Sequence, residues 1–246
     1  TNPYATPDGV SVGWNVYTRK YDPSELDLGD YSTDSMGAGM SIGLPVSEEN
    51  RVNLTANVEL LDIKTIAESP QYVRDFVKRY GDSNKIFTVG ANWARDTRDS
   101  ATYPTKGAYY KLGSEIETPG STTKYYKLST ENQMFYTPFA DLTAMWGVEA
   151  GYARAWAGSE VPFYRNFYVG GIGSVRGFES GSIGQKDEYD NSMGGTRRFV
   201  NNFEFFIPMP GMKDDKSMRL SAFLDSGAAW GQGEEIKVGD LRHSAG

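Results

Sequence analysis

Arg176 is the residue with the clearest potential for chemistry in this sequence of 246 residues. It stands in Val175-Arg176-Gly177-Phe178, at the end of a glycine-rich, aromatic stretch. That stretch reads Val161-Pro162-Phe163-Tyr164-Arg165-Asn166-Phe167-Tyr168-Val169-Gly170-Gly171-Ile172-Gly173-Ser174 before it. A guanidinium is a planar fork of donors that keeps its charge, so once out of bulk water it needs carboxylate partners. Two carboxylates follow in alternating segments: Glu204 in Asn202-Phe203-Glu204-Phe205, and Asp225 in Ala222-Phe223-Leu224-Asp225-Ser226-Gly227. The chemistry on offer is a charge-assisted clasp, with a loop arginine held between two acids. The plainer alternative is three separate solvated charges.

Other chemistries find little support. There is no Cys, so no disulfide framework, thiolate metal site or thiol nucleophile. The one His, His243, has no second His with which to build a zinc site or a Ser-His-acid triad. The spacing Gly171-x-Gly173-x-x-x-Gly177 differs from the dinucleotide fingerprint, and no helical pattern follows it. The net charge of −7 argues against a nucleic-acid partner. Neither an enzyme nor a cofactor or metal is expected.

The elements that must position Arg176, Glu204 and Asp225 are strands. Met36, Ala38, Met40, Ile42 and Leu44 share one face of a segment whose other face is Ser35, Gly37, Gly39, Ser41 and Gly43. Val52, Leu54, Ala56, Val58 and Leu60 alternate in the same way with Asn53, Thr55, Asn57 and Glu59. Roughly nine such segments are expected, at 10–21, 34–44, 51–61, 85–95, 107–118, 123–137, 142–156, 197–207 and 217–230. Many are about ten residues long, enough for a tilted strand to cross a bilayer. The connections alternate between mostly short turns (45–50, 96–106, 138–141, 208–216) and long loops (22–33, 62–84, 157–196). That rhythm, with 16 Tyr and 28 Gly, points to an antiparallel transmembrane β-barrel. A soluble β-sandwich also alternates, but its strands are usually shorter.

A loop as long and apolar as 157–196 is expected to fold into the barrel lumen. Trp14, Trp93, Trp146, Trp156 and Trp230 read as belt or wall residues. The acidic runs Asp22 to Asp30 and Asp187-Glu188-Tyr189-Asp190 read as solvated loops, the first with a minor alternative of divalent cations bridging it to lipopolysaccharide. Met209-Pro210-Gly211-Met212 reads as a turn. Residues 1–4 read as the tail of an earlier strand and 241–246 as the start of another, so further strands are expected on both sides.

Val175-Arg176-Gly177-Phe178 resembles the signature of the sixth extracellular loop in the BamA superfamily of outer-membrane barrels. Pro162-Phe163-Tyr164-Arg165-Asn166-Phe167-Tyr168-Val169-Gly170-Gly171 resembles the bacterial assembly members of that superfamily more than its mitochondrial and chloroplast import barrels or its two-partner-secretion transporters. So do Thr1-Asn2-Pro3-Tyr4 with Pro7-Asp8-Gly9-Val10-Ser11, Asp96-Thr97-Arg98-Asp99 with Tyr103-Pro104-Thr105-Lys106-Gly107, and Phe223-Leu224-Asp225-Ser226-Gly227. These motifs span the chain in family order.

The resemblance implies a barrel of about sixteen strands, of which residues 1–246 form a single partial domain. It implies that Arg176 enters the lumen and pairs with Glu204 and Asp225. The periplasmic POTRA domains and the terminal strands of the seam would lie outside this sequence. The implied function is assembly of outer-membrane proteins, in which client strands pair with a free edge at a lateral seam. The implied partners are unfolded β-barrel clients, accessory BAM lipoproteins, and outer-membrane lipid and lipopolysaccharide, at the bacterial outer membrane. The alternative is a two-partner-secretion transporter exporting one dedicated partner. A passive porin would account for the strands but not for the arginine loop.

Overall fold

Alternation in a membrane barrel is forced by solvent. Lipid offers backbone groups no hydrogen bonds, so every strand must pair with neighbours while its side chains divide between hydrocarbon and lumen. The computed structural model of the chain follows that rule. It describes residue 6 and residues 9–22, 31–139, 141–209 and 218–246. Residues 1–4, most of the Asp22 to Asp30 run and Pro210 to Met212 therefore lie outside the described residues.

The strands are β1 (Ser11–Tyr21), β2 (Tyr31–Pro45), β3 (Asn50–Thr65), β4 (Ser83–Asp96), β5 (Gly107–Glu117), β6 (Tyr125–Phe139) and β7 (Leu142–Ala155). A short hairpin, β8 (Gln185–Lys186) and β9 (Ser192–Gly194), interrupts the long connection. Then come β10 (Arg197–Pro208), β11 (Arg219–Trp230) and β12 (Arg242–Ala245). Ten strands make one antiparallel sheet in the order β1-β2-β3-β4-β5-β6-β7-β10-β11-β12, and β8-β9 stand apart from it. Among the described residues β1 and β12 do not pair, so the sheet is open. All the expected segments form strands, with ends shifted by a few residues.

Register carries the two faces across the sheet. Trp14 sits opposite Met40, Met40 opposite Ala56, Ala56 opposite Val89, and Val89 opposite Ile116. Leu112 of β5 and, on later strands, Leu128, Trp146 and Phe205 continue this outward apolar surface, and Trp14 and Val16 are 85% and 86% exposed. The opposite face holds Asn57, Glu59, Lys111, Glu131 and Glu149, with Glu131 opposite both Lys111 and Glu149. Trp14 and Trp146 lie on the outward wall. Trp230 is instead buried, its indole donating to Asp240 Oδ2 at 2.8 Å from the connection that folds over it.

One element was not expected. The connection 62–84 contains helix α1 (Gln71–Tyr80). Val73, Phe76, Val77 and Tyr80 recur at helical spacing, and Pro70 stands at the start, where a missing N–H costs nothing. Val73 and Phe76 are buried against Tyr31, Leu61, Ile63, Ile86 and Phe163. The helix lies at the strand ends opposite the short turns. No helix among the described residues is long and apolar enough to cross a membrane.

Two outcomes follow. Ala56→Arg puts a charge on the outward face in mid-strand and is expected to cost about 2–4 kcal/mol, against a much smaller loss for the inward change Asn53→Lys. Denaturant unfolding of the lipid-embedded protein measures both. In the β4–β5 turn, desolvation works against the Asp99 carboxylate, but bonds from the Thr105 hydroxyl and the Thr105 and Lys106 amides outweigh it. They hold its pKa down at about 2. A depressed carboxylate stabilises above its unfolded pKa, so Asp99 should help order the turn above about pH 4 and lose that role as pH falls toward 2. Carboxyl NMR titration should place the midpoint near 2.

Candidate functional site

The connection from β7 to β10 turns back across the inner face of the sheet. Val169, Val175 and Ile183 from it pack on Val200 of β10 and Ala229 of β11, with Phe178 against the same cluster. Val175 is fully buried. Such close packing needs a bare backbone on the wall. A Cβ at Gly227 would stand 2.8 Å from Val175 Cγ2 and 3.0 Å from Val169 Cγ1. On the loop, Gly177 turns the chain through a left-handed conformation, φ +84°, that other L-residues rarely adopt.

This packing places Arg176 between the two acids. Its Nε and Nη2 donate to Asp225 Oδ2 and Oδ1 at 2.7 and 2.9 Å, a two-pronged pairing. Its backbone N–H also donates to Asp225 Oδ2, at 3.1 Å. Nη1 donates to Glu204 Oε2 at 2.9 Å. The guanidinium lies 3.7 Å from the centroid of the Phe223 ring. Asp225 is fully buried and Glu204 is 7% exposed. Asn202 Nδ2 completes the set, donating to Asp225 Oδ1 at 2.9 Å and to Ser174 O at 2.7 Å. Hydrogen bonds to Asp225 above all, then to Glu204, hold the Arg176 pKa above its ordinary value. Arg176, Glu204 and Asp225 therefore meet, while Val175, Gly177 and Phe178 pack or turn the loop around them.

A second clasp holds the earlier half of the loop, and sequence reasoning passed over it. Arg165 Nη2 donates to Glu59 Oε2 of β3 at 3.0 Å. Lys127 of β6 donates to the Arg165 carbonyl at 2.8 Å and lies 4.0 Å from the Phe167 ring centroid. Arg198 of β10 faces the same ring at 5.2 Å and pairs with Glu149 of β7 at 2.8 Å. A signal existed: Arg165 is also a guanidinium in the apolar stretch, and Glu59 lies on the polar face of an alternating strand. What the sequence lacked was any indication that β3 and the loop meet.

Above the clasps the loop joins α1. Phe163 makes edge contacts with Tyr31, Tyr72 and Phe76 at centroid separations of 5.1, 5.7 and 5.4 Å. Glu188 accepts the Gln71 N–H at 2.6 Å, a carboxylate at a helix N-terminus. Arg79, in the last turn, pairs with Glu160 at 3.0 Å. Glu188 is exposed, as the solvated reading expects, and it also caps the helix.

This arrangement can be set against known proteins. The whole chain, residues 1–246, matches the Omp85 superfamily domain. The outer membrane protein assembly factor BamA of Neisseria meningitidis serogroup B is 39% identical over 246 residues, covering 94% of this chain and 31% of that protein. BamA of Nitratidesulfovibrio vulgaris is 26% identical over 251 residues, covering all of this chain and 30% of that protein. The crystal structure of BamA from Haemophilus ducreyi lacking POTRA domains 1-3 superposes with a TM-score of 0.86 at 26% identity, covering 94% of this chain and 48% of that one. CdiB from Acinetobacter baumannii shares the fold at a TM-score of 0.52 and 13% identity, covering 96% of this chain and 39% of that one. The chain spans about a third of the length of the two BamA sequences.

Arg176→Ala leaves Asp225 and Glu204 buried without their cation. In the complete protein it is expected to destabilise the barrel by about 3–5 kcal/mol. Arg176→Lys, which keeps the charge but loses the fork, should cost less. The temperature of the heat-modifiable gel shift measures both. Unchanged behaviour of the Ala variant would rule out a clasp of this strength.

Proposed function

The chain belongs to the Omp85 superfamily, and from that premise we propose that it is barrel wall of an outer-membrane protein assembly factor. The observation that carries this reading is the identity with the Neisseria assembly factor along almost the whole chain. In this reading, the protein sits in the bacterial outer membrane and folds β-barrel clients into it through a lateral seam. The work is an exchange of backbone hydrogen bonds, with no covalent chemistry. A client strand pairs with a free edge, as in β-augmentation, and later strands add to the first.

Residues 1–246 supply the rigid part. In the large sheet, the strands from β1 through β7, β10 and β11 pair with one another through long registers, which supports a wall rather than a seam. The seam strands and the POTRA domains that receive clients lie, on this proposal, in the rest of the protein. Accessory BAM lipoproteins act mainly through those domains. Lipid and lipopolysaccharide contact the outward apolar belt. Arg176, held by Glu204 and Asp225, fixes the long loop against β10 and β11, so that the lumen keeps one shape while the seam works.

The test uses the full-length protein with its accessory subunits in liposomes. Unfolded, unrelated outer-membrane barrels are added, and folding is followed by gel shift and protease protection. Faster folding of several clients than in empty liposomes is the expected result. No acceleration would overturn the assembly reading, and export of one dedicated partner alone would favour the transporter.

A further inference from the structure

At the short-turn end, residues 97–106 between β4 and β5 do not stay at the rim. They fold inward, over the ends of strands well along the sheet. Arg219, at the start of β11, donates through Nη2 to Tyr103 O at 3.1 Å and through Nη1 to Pro104 O at 3.3 Å. Thr137 of β6 donates to Thr105 O at 2.8 Å. Three successive carbonyls of the turn are thus tied to the wall, two to distant β11 and the third to β6, the strand next to β5. β11 is four places from β5 in the sheet, roughly 19 Å along the arc at normal strand spacing.

The anchoring residues lie on the inner face. Arg219 shares the alternation of Asp225 along β11, and Phe206 that of Glu204 along β10. Thr143 of β7 is opposite Phe206 and lies 3.1 Å from Thr137. The turn therefore crosses the lumen side of the mouth. Arg219 is flanked by the Tyr103 and Phe206 rings at 5.4 and 5.9 Å, and Pro104 is buried. A cavity of about 220 Å³, lined by Thr105, Thr137, Thr143, Phe206 and Arg219, remains between turn and wall.

The turn is built to hold its shape. Asp99 accepts from the Thr105 and Lys106 amides at 2.8 and 3.2 Å and from the Thr105 hydroxyl at 2.5 Å. Arg98 pairs with Asp96 at 2.7 Å and stacks 4.9 Å from the Tyr109 ring centroid. A segment only connecting two neighbouring strands needs neither this internal bracing nor an anchor on β11.

We infer that the 97–106 turn is a permeability seal, latched across the short-turn mouth by Arg219 and Thr137 against ions and small hydrophilic solutes. The barrier is steric, since pore width and lining set what passes. The inference rests on the barrel fold and not on assembly activity.

The test is single-channel conductance of the full-length protein in planar bilayers, with amide exchange of residues 97–106 by mass spectrometry. Arg219→Ala and Thr137→Val are each expected to raise conductance and speed exchange in that segment. Exchange at the Arg176 loop should stay slow in both. Thr137→Val is nearly isosteric and keeps the test alive if Arg219→Ala fails to fold. Wild-type conductance in folded variants would overturn the seal, even where exchange quickens. Client folding measured in parallel separates the two readings: a leaky variant that still folds clients supports the seal and leaves the assembly reading standing, whereas a protein that seals but folds no client removes only the latter.

Discussion

Hydrocarbon accepts no hydrogen bonds, and the rest of this structure follows from that. A backbone N–H or C=O left unpaired in lipid costs several kcal/mol, so every strand crossing the bilayer must be paired on both sides. Pairing fixes register, and register fixes which side chains meet lipid and which meet the lumen. The row from Trp14 through Met40, Ala56 and Val89 to Ile116 is one product of that constraint. The charged inner face is the other. A single-residue slip would exchange the two and bury charge in lipid.

The inner face then poses its own problem. Charges that leave bulk water must find partners, and a loop filling the space must bring them. The long β7–β10 connection does so at two points. Arg176 joins it to β10 and β11 through Glu204 and Asp225, and Arg165 joins it to β3 through Glu59. Between these points the packing is apolar, with Val169, Val175 and Ile183 on the wall. Above them, Phe163 meets α1. The loop is therefore a cross-brace between parts of the sheet that are distant in sequence.

Much of the fold was legible because a strand has a side-chain period of two, and period is a local property. The segments around Met36 to Leu44 and Val52 to Leu60 declared their faces from residue type alone. Helix α1 was equally local, with Val73, Phe76, Val77 and Tyr80 at helical spacing after Pro70, yet it lay in a connection read only for its length. The candidate clasp was partly legible. Arg176 is conspicuous as a cation in a glycine-rich apolar stretch, and Glu204 and Asp225 lie on definite faces of their strands.

The sequence by itself determined strand periodicity, the division of apolar from polar faces, and the residue types that a buried arginine would require. Those depend on neighbours a few positions apart. Only the tertiary structure decided that Arg165 reaches Glu59, that Glu188 meets the start of α1, and that Arg219 holds the turn at Tyr103 and Pro104. These contacts join residues that the sequence leaves far apart. Sheet curvature brings them together, and no local pattern of hydrophobicity or charge encodes it.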